Sequence, residues 1–231
     1  MNRVLQVSRL YLLERTNYLT VPALVLSSAA VLSYAIGAVT AAATGEQNVM
    51  TGGFQAPLWA LFGATLALVA GMYPFSFALG LGRRVYFLGT AVFFTAFSLA
   101  FAAICTVFGV LESVTDGFGS HARFFAMPIG AENAWAGQFM GFFGLVALAL
   151  GAAFWIACCF RRWRARGLLA TGGAMFVLVA AFSTAATVFS WWDGIWGFLT
   201  GLTSVQLGAC LAALAVVAMA TAWPVLRRAA P

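Results

Sequence analysis

Six stretches of this chain, Leu19–Ala43, Phe54–Leu79, Val85–Leu111, Ala134–Phe160, Leu168–Trp192 and Ile195–Leu226, contain no charged residue. Each exceeds the roughly 20 residues that an α-helix needs to cross about 30 Å of hydrocarbon. None alternates with a period of two and all are too long for barrel strands, so helices are the one spanning structure that keeps their backbone amides paired in lipid. Composition agrees, with 63% of the 231 residues hydrophobic, 8% charged and a mean hydropathy of +0.97. A soluble domain carries about a quarter charged residues, and a chain this apolar cannot cover itself with polar groups. The sequence therefore predicts an all-α integral membrane protein: a six-helix transmembrane domain over residues 19–231, preceded by an interfacial helix over residues 1–18.

The charges between the stretches set the expected orientation. Arg3, Arg9 and Arg15 precede the first, Arg83 and Arg84 separate the second and third, Arg161, Arg162, Arg164 and Arg166 separate the fourth and fifth, and Arg227 and Arg228 follow the sixth. The opposite loops hold Glu46, then Glu112, Asp116, Arg123 and Glu132, then Asp193. Arginine-rich segments stay in the cytoplasm, so both termini are expected inside. Trp135, Trp191, Trp192 and Trp196 gather at the outer boundary and Tyr73, Tyr86, Trp163 and Trp223 at the inner one, where amphipathic rings settle. Trp59 and Trp155 lie deeper and are expected to pack.

The lead carries Val4, Val7, Tyr11 and Tyr18 along one helical face, with Glu14 close to that face, as in a helix lying at the cytoplasmic surface. Ala41-Ala42-Ala43 could satisfy a cleavage rule, but the apolar stretch before it is too long for a signal sequence, so the first span is expected to remain. The loop from Glu112 to Trp135, with Phe118, Phe124, Phe125 and Met127, is apolar enough to fold back on the membrane.

Chemistry is sparse. No Asp, Glu, His, Lys or Arg falls centrally in a stretch, which argues against proton-coupled carriers, voltage sensors and intramembrane proteases, all of which need polar groups at depth. His121 is the one histidine; with Asp116 it is more simply a surface residue than an acid–base pair. Hydroxyls such as Thr65, Thr95, Ser98, Thr106, Thr203, Ser204 and Gln206 nearby are expected to serve as packing contacts or to bond the preceding turn. Cys105, Cys158, Cys159 and Cys210 sit in apolar stretches and read as small hydrophobes. Gly137 with Gly141, and Gly197 with Gly201, have the spacing of close helix contacts, though glycine is too common here for that to identify an interface. All twelve basic residues are arginine. Without a lysine, the chain cannot form a conventional phosphate-binding loop for ATP hydrolysis, and it is expected not to be an enzyme.

The most informative segment runs from Tyr73 to Thr90. Pro74 interrupts the second helix near its end, Gly80 and Gly82 permit a tight reversal, and Arg83 and Arg84 follow. Tyr73-Pro74-Phe75, Ala78-Leu79-Gly80, Gly82-Arg83-Arg84 and Phe87-Leu88-Gly89 resemble a pattern in the ABC-2 type permeases, membrane subunits of ATP-driven exporters common in bacteria, actinobacteria among them. The motif covers about twenty residues, and Tyr73 stands where the pattern has phenylalanine. The resemblance implies a permease subunit in the bacterial plasma membrane, with a second permease copy or homologue and two copies of a separate ATP-binding subunit that holds ATP and Mg. Coupling to that subunit would fall on Gly82, Arg83, Arg84, Tyr86 and Phe87, with Arg9, Glu14 and Arg15 of the lead touching it too. This chain would hold no cofactor or metal, and its partners would include lipids but not nucleic acid. Spans without central charge imply an apolar or amphiphilic cargo such as a lipid, hydrophobic peptide or drug. A non-transporting scaffold and an ATP-independent channel are the alternatives.

Overall fold

A computed structural model describes Val7, Tyr11 and residues 20–45, 49–50, 52–125 and 135–228. Its helices are α1 (Val21–Thr44), α2 (Gln55–Ala78), α3 (Arg83–Val114), α4 (Trp135–Arg164), α5 (Gly172–Val188), α6 (Trp192–Gly201) and α7 (Ser204–Arg227). Two dipeptides, β1 (Val49–Met50) and β2 (Ala122–Arg123), pair in parallel. Five helices, α1 to α4 and α7, are long and apolar enough to cross a membrane; α5 and α6, bent by 104° at a short break, make six if the pair is one span. The chain is thus a multi-pass, all-α membrane protein.

Two expected boundaries move. The arginine linker after the fourth stretch is not a loop: Trp135–Val188 is one helical run interrupted at Arg164, whose φ of 54° and ψ of −147° turn the chain. The sixth stretch, expected as one helix over Ile195–Leu226, splits between Gly201 and Ser204. Thr203 and Gln206 form a capping box there: the Thr203 hydroxyl accepts the Gln206 N–H at 3.2 Å, and the Gln206 side-chain oxygen accepts the Thr203 N–H at 3.0 Å. A reciprocal cap of this kind satisfies two of the donors a helix start leaves open. These residues, expected inside a span, begin one.

The run containing α4 lies at the centre and packs on α2, α3 and α7. Its seam with α7 is built from small residues seven apart. A Cβ on Gly144 would collide with the backbone of Gly208, one on Gly208 would collide with Met140 and Gly141, and one on Gly151 would lie 3.1 Å from the Ala215 carbonyl. Cys158 and Ala222, both buried, continue the two series. Backbones that approach this closely gain dispersion contacts along their length, the main attraction between helices in lipid. Gly197 and Gly201 in α6, by contrast, face open space.

Near the other end of α3, residues 117–125 fold back on α1 and α3 of the protein itself, and Met127 of that loop lies outside the described residues. Phe124 and Phe125 are buried, and Phe124 packs on Tyr34 and Phe54. Their backbone N–H groups donate to Glu112 at 2.6 and 2.7 Å, and Tyr34 donates to the same carboxylate at 3.4 Å. Glu112, expected in a loop, is therefore a buried group inside α3. At about 1.5 Å per residue the 32 residues of α3 reach roughly 48 Å, more than the roughly 30 Å of hydrocarbon. That length lets one helix carry Arg83 and Glu112 at opposite boundaries.

Most span hydroxyls take the plain role expected of them. Thr65, Thr90, Thr95, Thr106 and Thr184 each donate to the carbonyl four residues back. Cys105, Cys158 and Cys159 are buried free thiols and Cys210 is exposed. Trp155 is half-buried against the core, but Trp59, expected to pack, is 69% exposed and meets Phe62 along its own helix.

Candidate functional site: the arginine hairpin

The turn between α2 and α3 follows from its residues. Gly80 adopts a left-handed φ of 71°, its N–H donates to the Phe77 carbonyl at 2.9 Å, and the Leu81 N–H donates to the Ser76 carbonyl at 3.0 Å. This is a Schellman ending, in which glycine supplies the conformation that a Cβ would oppose and the next residue, here buried Leu81, packs back on the helix. Gly82 is different. Its backbone is extended at φ −69° and ψ 152°, so the reversal needs glycine at position 80 and not at 82.

Pro74 sits inside α2 without ending it. Lacking an N–H, it leaves the Ala70 carbonyl one turn earlier without its helical donor. The Arg161 guanidinium of α4 donates to that carbonyl and lies over the Tyr73 ring, 5.7 Å from its centroid. The next arginine of interest, Arg83, donates to the Arg227 carbonyl at the end of α7 and lies 5.9 Å over the Phe77 ring. The hairpin is braced from two directions by cation–π contacts and charge-assisted hydrogen bonds.

A third brace comes from the lead. Val7 and Tyr11 are both 1% exposed. The Tyr11 hydroxyl lies 3.0 Å from both the Tyr86 hydroxyl and Thr90 Oγ1, and its ring stacks on Phe93 at 4.8 Å. Burial pushes the Tyr11 phenol up to about 12, so it stays neutral and able to donate. Tyr73 packs edge-on against Tyr86 at 5.4 Å. Val7 and Tyr11, expected on the apolar face of the lead, are buried against the protein; Arg9, Glu14 and Arg15 lie outside the described residues.

The five hairpin positions named from sequence divide into two groups. Arg84 and Gly82 are exposed and Arg83 is half-exposed. Tyr86 is buried, and Phe87 is half-buried between Phe154 of α4 and Trp223 of α7. Arg84 is the cation left facing outward, whereas Arg83 is held by the protein. Sequence reading missed Arg161 as a member of this site; the signal was Pro74, which announces a carbonyl in need of a donor. Asp116 has a left-handed backbone, φ 50°, outside any groove described here, and the His121 side chain lies outside the described residues. Among the described residues no group of three or more His, Cys, Asp or Glu side chains could hold a metal ion. Comparison of the chain with protein-family models, with curated proteins and with solved structures finds no match.

Proposed function

We propose that the chain is the transmembrane permease subunit of an ATP-driven exporter, coupled through the α2–α3 hairpin to a separate ATP-hydrolysing subunit in the cytoplasm. The observation that carries this reading is the hairpin's construction: a four-residue turn, tied to α4, to α7 and to the lead, that presents Arg84 outward. A loop meant only to join two spans has no need of three braces. A rigid element docked on a moving partner does, because displacement at its tip must reach the helices without being lost in bending. Two permeases and two ATPases would form the working unit, six crossings would place both termini inside, and ATP binding would shift the permeases between inward- and outward-facing states that bind cargo differently. Cargo without charge, such as a lipid, hydrophobic peptide or drug, suits spans whose hydroxyls are mostly bonded to their own helices.

The test is co-purification from native membranes followed by transport in proteoliposomes. A Walker-motif ATPase should accompany the chain, and R83A/R84A should keep ATP hydrolysis while transport falls by about tenfold or more, a loss of roughly 1.4 kcal/mol or more in coupling. R84A alone should account for most of that loss. Full transport by the double variant would sink the assignment of the hairpin, and absence of any ATPase would return the chain to a scaffold role.

A further inference from the structure

α3 and α7 touch only sparsely, and between them runs a groove. Its deep part, about 420 Å³, is lined by Phe94, Thr95 and Ser98 of α3, Ala147 of α4, and Val216 and Met219 of α7. Its mouth, about 350 Å³, is lined by Arg84, Leu88 and Trp223. Both parts share Phe87 and Ala220, so the two cavities adjoin along one helix face. Each volume falls in the range of about 300–1,000 Å³ typical of small-molecule sites.

We propose that this groove holds one acyl chain of an anionic phospholipid, with its phosphate at Arg84. Four observations bear on the occupant. From Arg84 to Ser98 is fourteen residues of helix, roughly 21 Å. Half of a bilayer including headgroups is about 20–22 Å, so the groove runs from headgroup level to the bilayer midplane and matches the depth of a single leaflet. The wall is apolar throughout except at its two ends. At the mouth the exposed Arg84 has no bonding or charged partner among the described residues, and Trp223 beside it is the residue type that settles at headgroups. At the far end Ser98 is fully buried, so the protein closes the groove at that depth. The occupant must be long, narrow, apolar along its shaft and negative at one end. The lipid belongs to the leaflet on the arginine side. The proposal shares Arg84 with the proposed coupling hairpin, but its readout is labelling of the chain without any ATP-hydrolysing partner, so its failure and the failure of the transport reading are told apart.

The experiment uses the full chain in nanodiscs containing a phosphatidylglycerol probe with a photoreactive group near the end of one acyl chain, read by peptide mass spectrometry. Labelling should concentrate on Thr95, Ala147 and Val216. It should fall about fivefold when the probe has a choline headgroup or when Arg84 is replaced by glutamine, and persist in R84K. A147F, which fills the groove, should abolish it. Because Arg84 is exposed and has no bonding partner among the described residues, R84Q should keep the fold and decides the matter even if A147F is unstable. Labelling spread evenly over the outer faces of α1 and α5, indifferent to headgroup and to R84Q, would show ordinary boundary lipid and overturn the proposal.

Discussion

α4 and α5 belong to one helical run and have similar apolar character, yet they live in different surroundings. α4 is more than half buried, with Val146, Leu150, Ala153 and Phe154 wholly enclosed. In α5, Met175, Phe176, Val177, Leu178 and Val179 are each more than half exposed. At about 100° per residue those five consecutive positions go round the entire helix, so no side of it is covered there by the described residues. Hydropathy cannot separate the two, because lipid tails are as apolar as leucine. The difference lies in small residues. Gly144 and Gly151 fall on one stripe of α4 and meet Gly208 and Ala215 backbone to backbone, whereas Gly172 and Gly173 at the start of α5 face open space. Glycine earns a partner only where another helix offers an equally narrow face at the same height.

Overfilling the seam should have the largest effect. G144L forces a side chain into the Gly208 backbone, and overpacking of about 3 kcal/mol or more should leave little folded protein by thermal or detergent unfolding. Val177→Ala on α5 should change monomer stability by less than about 0.5 kcal/mol. Equal losses from both would erase the contrast.

The brace at Pro74 sharpens it next. R161M strips the donor from the Ala70 carbonyl and should cost about 1.5–3 kcal/mol. P74A in that background restores an N–H that can reach the same carbonyl, so the double variant should recover about 1 kcal/mol or more, read as a coupling energy in a double-mutant cycle. No recovery would show that Arg161 acts through the Tyr73 ring alone. The smallest effect belongs to the start of α7: T203V removes half of the capping box and should cost about 1 kcal/mol. A loss near zero would mean that the seam, rather than the cap, fixes where α7 begins.

The apolar stretches and their helical nature were legible because a bilayer imposes length and hydrogen-bond rules that a linear reading can test. The end of α2 was legible for a similar reason at Gly80, which acts locally, whereas Pro74, expected to interrupt the helix, lies inside it. Thr203-Ser204-Val205-Gln206 carried a capping signature, but an unbroken apolar run hid it, and the break in the sixth stretch went unseen. The small-residue series in α4 and α7 is visible at a spacing of seven, where the spacing of four drew attention to Gly197 and Gly201 instead. Glu112 offered no local sign. Its partners are backbone N–H groups twelve and thirteen residues on, which only the folded loop brings within reach. Arg83 and Arg84, adjacent and alike in sequence, part company because Arg83 reaches the Arg227 carbonyl at the end of α7 while Arg84 stays exposed at the groove mouth beside Trp223.

Pro74 has a mechanical consequence. The carbonyl it releases is a notch on α2, and Arg161 is the tooth that sits in it. Sliding α2 along α4 by one turn would carry the notch about 5.4 Å away and disengage the pair. The two helices are therefore keyed against axial slip where Arg161 meets Ala70. A push on the hairpin tip can be spent as rotation of the α2–α4 pair and not as slippage between them.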